Sequence, residues 1–317
     1  LARFEKPEKS SLMEPAVLNW FAKLKEASVL QPFELPNKNI QSCKLFVKRD
    51  DLIDAHISGN KLRKLEGNLR AAAAAGATRL ATFGGAYSNH LLASAAAAQQ
   101  LRIPITGYVR GDELCATSNP ILRRCHEFGM QLEFSTRSAY QKLKLKSGLD
   151  LPTQTWYIPE GGANPEGIWG CQQIYQEAVR QNNQQHFDVV FIAQGTTTTS
   201  LGILASIPPS TQLFVVPVLK GFDSIAEMQQ LIEQAQRATL TSNLVFPMEQ
   251  LIVLDQYHHG GYAKTSIELN AFIAVFNQHQ QFPIEASYTG KALFALNAHL
   301  RAFQDKSVLF IHTGGVV

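Results

Sequence analysis

The sequence predicts an α/β protein in two lobes, each built on a mainly parallel sheet flanked by helices. Three observations lead there. Short apolar runs alternate with stretches of helical periodicity along most of the 317 residues, the pattern of strands joined by helical crossovers. The alternation falls into two series, separated by the glycine-rich turn Glu160-Gly161-Gly162. A hydrophobic content of 45% supplies enough apolar side chains for a large core.

After a polar N-terminal arm, residues 43–48 read as the first strand, leading into Ser58-Gly59-Asn60-Lys61-Leu62-Arg63-Lys64-Leu65-Glu66. Asn60 is a favoured N-cap, Leu62, Leu65, Leu69 and Ala72 mark one apolar helical face, and Gly76 follows an alanine run as a stop. Lys61 then stands at the first position of a helix, where the positive end of the dipole disfavours an ammonium. Partial burial there lowers a lysine pKa and leaves more free amine for a carbonyl.

Strands follow at 79–83, 103–109, 131–135 and 155–158, with helices notably at 90–101 and 136–146. The second series starts at Phe187, with strands at 188–193, 212–216 and 251–254 and a last one at 308–311. The intervals have helical length and period.

In open α/β sheets, ligands bind beyond the carboxyl ends of strands, where loops enter helices. Phe83-Gly84-Gly85-Ala86-Tyr87-Ser88-Asn89-His90 lies at such a place: its glycines permit close backbone approach and Ser88 and Asn89 offer hydrogen bonds. Standing alone, it reads equally well as an ordinary helix cap. Gln194-Gly195-Thr196-Thr197-Thr198-Thr199-Ser200 also joins a strand to a helix, and its amides and hydroxyls suit a phosphate. It has neither the spacing of a nucleotide P-loop nor that of a dinucleotide fingerprint.

Composition narrows the function classes. Lysine and arginine number 29 against 26 acidic residues, a net charge of +3, and they are dispersed. Lys142, Lys144 and Lys146 read as one solvated helix face, and no nucleic-acid partner is expected. The four cysteines, Cys43, Cys115, Cys125 and Cys171, have no metal or redox-motif spacing and read as free thiols of a reducing compartment, so a cytoplasmic location is expected. The first eleven residues carry no apolar signal core and no later run is long enough to cross a membrane. The first residue is not methionine, which leaves a removed leader open.

A lysine at a helix start, a Ser-Asn-His turn after a strand, a threonine-rich loop and a late His312-Thr313-Gly314-Gly315 turn occur here in one order. Together they resemble the fold-type II, or tryptophan-synthase-β-like, pyridoxal-phosphate enzymes. Within that group the chain resembles the family of D-cysteine desulfhydrase and 1-aminocyclopropane-1-carboxylate deaminase. The likeness is carried by Lys48-Arg49-Asp50-Asp51, the segment Gly59 to Glu66, Ser88-Asn89-His90, Tyr288-Thr289-Gly290-Lys291 and the His312 turn.

The resemblance implies pyridoxal 5'-phosphate as cofactor, held covalently by Lys61, with the active site in the cleft between the lobes. It implies that Asn89 bonds the cofactor's ring hydroxyl and that Gly195, Thr196, Thr197, Thr198 and Thr199 bind its phosphate. Tyr288 would lie against the ring and Thr313 would face the pyridine nitrogen. Ser88, with Asn89 and His90, would hold the carboxylate of a small amino-acid substrate, and Tyr262 matches a second active-site tyrosine. On this reading residues 1–62 and 168–317 form the larger, cofactor-binding domain and 63–167 the smaller one, and the protein is a homodimer. His258 and His259 lack a third ligand at metal-site spacing, so no metal is expected.

The activity implied is β-elimination from a D-cysteine-like amino acid, giving pyruvate, ammonia and sulfide. Threonine rather than a carboxylate at 313 supports this: a neutral hydroxyl makes the ring a weak electron sink, which elimination tolerates and racemisation or transamination does not. Thr289 stands where the cyclopropane deaminases carry glutamate after the tyrosine. The desulfhydrases usually have Ser-Asn-Gln where this chain has Ser-Asn-His, and a small-residue phosphate loop where this one is rich in threonine. Two alternatives remain open: ring-opening deamination to α-ketobutyrate and ammonia, and a pyridoxal-phosphate-binding protein without catalysis.

Overall fold

The computed structural model describes residues 15–36, 43–57, 59–144, 152–279 and 282–314. The N-terminal arm, Ser58, Lys146 and Gly315 to the end lie outside them. In chain order the elements are α1 (Pro15–Lys25), β1 (Leu30–Pro32), β2 (Lys44–Arg49), α2 (Asn60–Ala74), β3 (Arg79–Gly85), α3 (Asn89–Leu101), β4 (Ile105–Arg110), α4 (Pro120–Glu127), β5 (Gln131–Ser135), α5 (Arg137–Lys144) and β6 (Thr155–Ile158). They continue with α6 (Pro165–Gln181), β7 (Val189–Gln194), α7 (Thr198–Leu204), β8 (Gln212–Pro217), α8 (Ser224–Arg237), β9 (Leu251–Val253), α9 (Ile267–His279), α10 (Thr289–His299) and β10 (Ser307–His312). Among the described residues no helix is long and apolar enough to cross a membrane.

The described residues form two compact units, one drawn from Leu24–Leu65 and from Gly162 onwards, the other from Glu66–Gly161 with α1 up to Lys23. The smaller unit thus takes in most of α1 and starts at Glu66, whereas the sequence reading assigns 1–62 to the larger unit and begins the smaller at 63. An amphipathic helix that precedes both sheets has no strand register to assign it to either.

The larger unit holds a six-stranded sheet in the order β1-β2-β10-β7-β8-β9. Every pairing is parallel except β1 with β2. Its central strands are apolar on both faces because helices cover both. Val189, Phe191, Val308 and Phe310 join one core with Leu293 and Leu296 of α10, while Val190, Ile192, Leu309 and Ile311 join another with Ile168 and Ile174 of α6. The two-residue repeat of the strands produces this split.

Register then sets where the loops emerge. Ile311 pairs with Ile192 and His312 with Arg49, so β2, β10 and β7 end side by side. The segments that follow them carry Lys61, Thr313 and the threonine run into one neighbourhood.

The smaller unit contains a parallel four-stranded sheet, β5-β4-β3-β6. Ala93 and Ala95 to Ala98 of α3 are all buried, small side chains that let the helix approach closely. Helix α2 ends in a Schellman turn: Gly76 (φ +68°) donates to the Ala73 carbonyl and Ala77 to that of Ala72.

Candidate active site

The first turn of α2 differs from the sequence reading in one detail. Asn60 is the first helical residue rather than the cap. Its side chain is committed elsewhere: Nδ2 donates to Thr199 Oγ1 at 2.9 Å and Oδ1 accepts from Lys61 Nζ at 2.7 Å. Asn60 therefore links the lysine amine to the threonine run, and Lys61 occupies the second helical position.

Lys61 is only partly exposed, and burial, reinforced by the Lys64 cation, pulls its amine down to about 7. About half of it is then free base near neutral pH. The lowered pKa expected from helix position is present, with desolvation as its leading cause.

What fixes this turn is a buried ion network. Arg63 donates to both oxygens of Asp50 at 3.1 and 2.8 Å and to both of Glu177 at 2.7 Å. Burial works to raise the Asp50 carboxyl, but the Arg63 guanidinium outweighs it and holds the group below its ordinary value. The Asp50 carbonyl also accepts from Gly59 N–H at 2.9 Å, so the end of β2 and the start of α2 are tied twice.

Gly59, at φ +64°, lies against the turn after β10: a Cβ there would fall 1.8 Å from the Thr313 carbonyl oxygen. His312 holds that turn from below. Its Nε2 faces the Pro283 carbonyl at 2.7 Å and its Nδ1 accepts from Gly314 N–H at 3.3 Å, a pattern that needs the neutral Nε2–H tautomer. Burial keeps the ring below its ordinary pKa and so in that form. Thr313 is buried beside it.

The loop from Gly195 to Thr197 follows β7. Thr196 Oγ1 accepts from Lys64 Nζ at 3.0 Å, and Lys64 itself is buried, one turn beyond Lys61. Thr198 packs its methyl toward Gly167 of α6, where an added Cβ would lie 2.9 Å from it. Thr198 Oγ1 and Ser200 Oγ are buried without a hydrogen-bond partner among the described residues. The start of α7 thus offers two unspent hydroxyls, and the loop before it holds the amine of Lys64, whose pKa burial lowers; the set is suited to an anion with several acceptor oxygens.

Tyr288 immediately precedes α10 and lies along the glycine of the loop: a Cβ on Gly195 would sit 3.0 Å from its ring. Tyr262 meets it edge to face, centroids 5.8 Å apart. Burial first, then the neighbouring Tyr262, raises the Tyr288 phenol well above its ordinary pKa, so it stays protonated. Thr289 is fully buried, its hydroxyl accepting from Glu285 N–H at 3.1 Å and donating to Glu285 Oε1 at 3.3 Å.

Lys61, Gly195 to Thr199, Tyr262, Tyr288 and Thr313 thus belong to the larger unit, connected through Asn60, Gly59 and Gly195. Ser88, Asn89 and His90 belong to the smaller unit. Ser88 caps α3, its Oγ accepting from Leu91 N–H at 3.3 Å, and Asn89 is partly exposed. His90 is buried with Nε2 2.8 Å from Thr82 Oγ1, a contact made inside that unit, so its ring braces the strand β3.

The sequence reading misses Asn60 as a side-chain link, Lys64, and the Asp50–Arg63–Glu177 network. Arg63 and Lys64 are polar groups in a stretch of helix buried throughout from Leu62 to Leu69, and Asn60 is buried just before it. The available signal was a dense charge cluster, Arg63-Lys64 with Glu66, interleaved with the apolar positions rather than confined to the opposite face.

A fold of parallel sheets flanked by helices, with a low-pKa lysine tied to an anion-suited loop, defines an enzyme that works through a carbonyl cofactor bearing a phosphate. The chain belongs to the pyridoxal-phosphate dependent enzyme family, whose sequence model matches residues 31–314. It is 30% identical to a D-cysteine desulfhydrase from Klebsiella pneumoniae, over 86% of each chain. It is also 30% identical, over 86% of this chain and 88% of the other, to a Thermotoga maritima protein provisionally named 1-aminocyclopropane-1-carboxylate deaminase. A crystal structure of an ACC deaminase homologue superimposes with a TM-score of 0.74, at 25% identity and 96% coverage of both chains.

The residues present fit the cofactor of this family. The unspent hydroxyls of Thr198 and Ser200 and the Lys64 amine, which a bound anion would keep protonated, match a phosphate, and the Lys61 amine matches an aldehyde.

Proposed function

We propose that the protein catalyses β-elimination from a D-cysteine-like amino acid, releasing pyruvate, ammonia and sulfide. The observation that carries this is the Lys61 amine, poised near neutral pKa and hydrogen-bonded through Asn60 to Thr199 of the threonine run.

Pyridoxal phosphate, when bound, supplies an electrophilic carbon for the substrate amine and a sink for the electrons left at Cα. Lys61 would hold it through its amine, and Lys64 with the hydroxyls of Thr196 to Thr199 would take its phosphate. Lys61 Nζ would serve as the general base for the Cα proton, with a suitable pKa. Tyr288, kept protonated by burial, would lie against the cofactor ring with Tyr262 beside it, and the sulfur would leave as hydrosulfide, which needs no proton from so weak an acid. Thr313 offers the pyridine nitrogen a hydroxyl and no charge. Ser88 and Asn89 would take the substrate carboxylate and the ring hydroxyl on the strength of the family resemblance, and His90 braces strand β3, which leads into their turn.

The rival reading is ring-opening deamination of 1-aminocyclopropane-1-carboxylate, which the Thermotoga relative's provisional name favours. The surroundings of Thr289 weigh against it in this chain. A glutamate at 289 would bring a second carboxylate up to Glu285 at a fully buried position, where like charges repel strongly. Residues 1–62 and 168–317 as the cofactor-binding domain, 63–167 as the smaller domain, a homodimer and a cytoplasmic location belong to the same reading. The last is supported by four cysteines that are all free thiols.

The test is to assay pyruvate and sulfide with D-cysteine beside α-ketobutyrate with the cyclopropane amino acid. Sulfide from D-cysteine supports the proposal; α-ketobutyrate as the sole product contradicts it.

A further inference from the structure

The loop that carries Tyr262 runs antiparallel along α10, and successive turns of that helix grip successive loop residues. Phe294 takes the His259 ring edge to face, centroids 5.0 Å apart. Lys291 donates from Nζ to the Gly261 carbonyl at 2.6 Å. Tyr288 meets Tyr262. Lys291 and Phe294 are three apart and share one face of α10, whose first turn Tyr288 directly precedes.

The gripped loop is conformationally costly. His259, Gly260, Gly261 and Ala263 all have positive φ, at 47°, 94°, 113° and 54°. Two of these are not glycine, and such residues hold the left-handed region only where their surroundings impose it. The loop's own backbone bonds are two short-range ones, Gly261 N–H to the His258 carbonyl and Lys264 N–H to the Gly261 carbonyl. The Gly261 carbonyl is therefore the point where the loop's internal bonding and its tether to α10 meet, one residue before Tyr262.

Lys291 is fully buried. Its long side chain crosses the packed face between helix and loop to deliver an N–H donor to a main-chain oxygen. The cost of removing such a group from water is justified only by what its contact holds in place.

We propose that Lys291 is a positioning residue that fixes Tyr262 against Tyr288 through the Gly261 carbonyl. The assignment rests on the reading of the two tyrosines given above. It accounts for the lysine of Tyr288-Thr289-Gly290-Lys291, whose amine is spent on the loop backbone.

Two measurements on Lys291→Met, which keeps the buried stem and removes the donor, test this. In the cofactor-free protein, amide exchange at Gly261 and Lys264 should quicken by about tenfold or more while that of β7 and β8 is unchanged, since only the loop opens. In the loaded enzyme, Lys291→Met should lower kcat more than it raises KM. The double variant with Tyr262→Phe should then be slower than Tyr262→Phe alone by no more than about twofold, because both changes remove the same function.

Unchanged exchange at the loop overturns the proposal, and so do kinetic losses that multiply, which would make Lys291 a general support. If Lys291→Met does not fold, Lys291→Leu, which also removes the donor, goes through the same cycle with the same criteria. Should no amino acid be turned over by the wild type, the functional reading fails on that result, while the exchange experiment still decides whether Lys291 anchors the loop.

Discussion

Gly59 and Thr313 are in such close contact that a single added carbon on the glycine would land 1.8 Å from the threonine's carbonyl oxygen. The contact joins the start of the helix bearing the reactive lysine to the turn proposed to face the cofactor's pyridine nitrogen. Backbone meets backbone here, so no side chain can swing aside to relieve a clash.

Gly59→Ala is accordingly expected to damage the site well beyond the cost of about 1–2 kcal/mol for an L residue at positive φ. One of the two strands of backbone must shift, and Lys61 shifts with it. Cofactor titration followed by visible absorption should show affinity reduced at least about tenfold, or roughly 1.4 kcal/mol. Normal cofactor binding by a folded Gly59→Ala protein would show that this contact does not position the lysine.

Lys64 is expected to act on the phosphate and not on the chemistry. Replacing it with methionine removes the ammonium from Thr196 and should weaken pyridoxal phosphate binding by about 10- to 100-fold, the range of one charge-assisted contact of roughly 1.5–3 kcal/mol. Binding of pyridoxal, which lacks the phosphate, should change little. Equal losses for both ligands would count against the assignment.

The depressed Lys61 pKa carries a pH signature in the cofactor-free protein. The folded amine titrates at about 7 and the ordinary value is 10.5, so between these the unfolded chain binds more protons than the folded one. Stability linked to this residue therefore rises with pH from about 7 towards 10.5 and is level below 7. Melting temperatures of wild type and Lys61→Met, compared across that window, should diverge at its acid end, where the variant is relatively the more stable. Parallel curves would mean that the amine is not buried in the folded protein.

Glu285 is the acceptor on which the start of α10 depends. Its carboxylate takes the amides of Ser287, Tyr288 and Thr289, the last two at 2.9 Å, as well as the Thr289 hydroxyl. Glu285→Ala should cost about 1–2 kcal/mol or more in denaturant unfolding, the scale of a lost helix cap. It should also lower turnover, because Tyr288 and the residues on either side of it hang on the bonds removed. Unaltered stability would show that these amides find other partners.

Much of this arrangement is legible in the order of residues alone. The strands 131–135 and 155–158 fall where the sequence puts them: the first alternates Leu132 and Phe134 with polar residues, and the second is the short run Thr155-Trp156-Tyr157-Ile158 between turn residues. Others are off by a residue or two, because the last residues of a parallel strand, such as Gly85 and His312, already look like the polar loops they lead into. Strand β1 leaves no such trace: three residues ending in a proline, paired antiparallel at the sheet edge, carry no pattern. The site is legible as a constellation of motifs, while its supports are not. Periodicity marks apolar faces, and Arg63, Asp50, Lys64 and Asn60 are polar groups whose burial depends on partners far away in sequence.

The central claim is a covalent bond between Lys61 and the cofactor, and borohydride reduction tests it most directly. The protein loaded with pyridoxal phosphate is reduced, digested and mapped by mass spectrometry. The account predicts the added mass on Lys61, and in Lys61→Ala the loss of both the label and the visible absorption. A label on Lys64 or any other lysine, with the absorption persisting in Lys61→Ala, would contradict it.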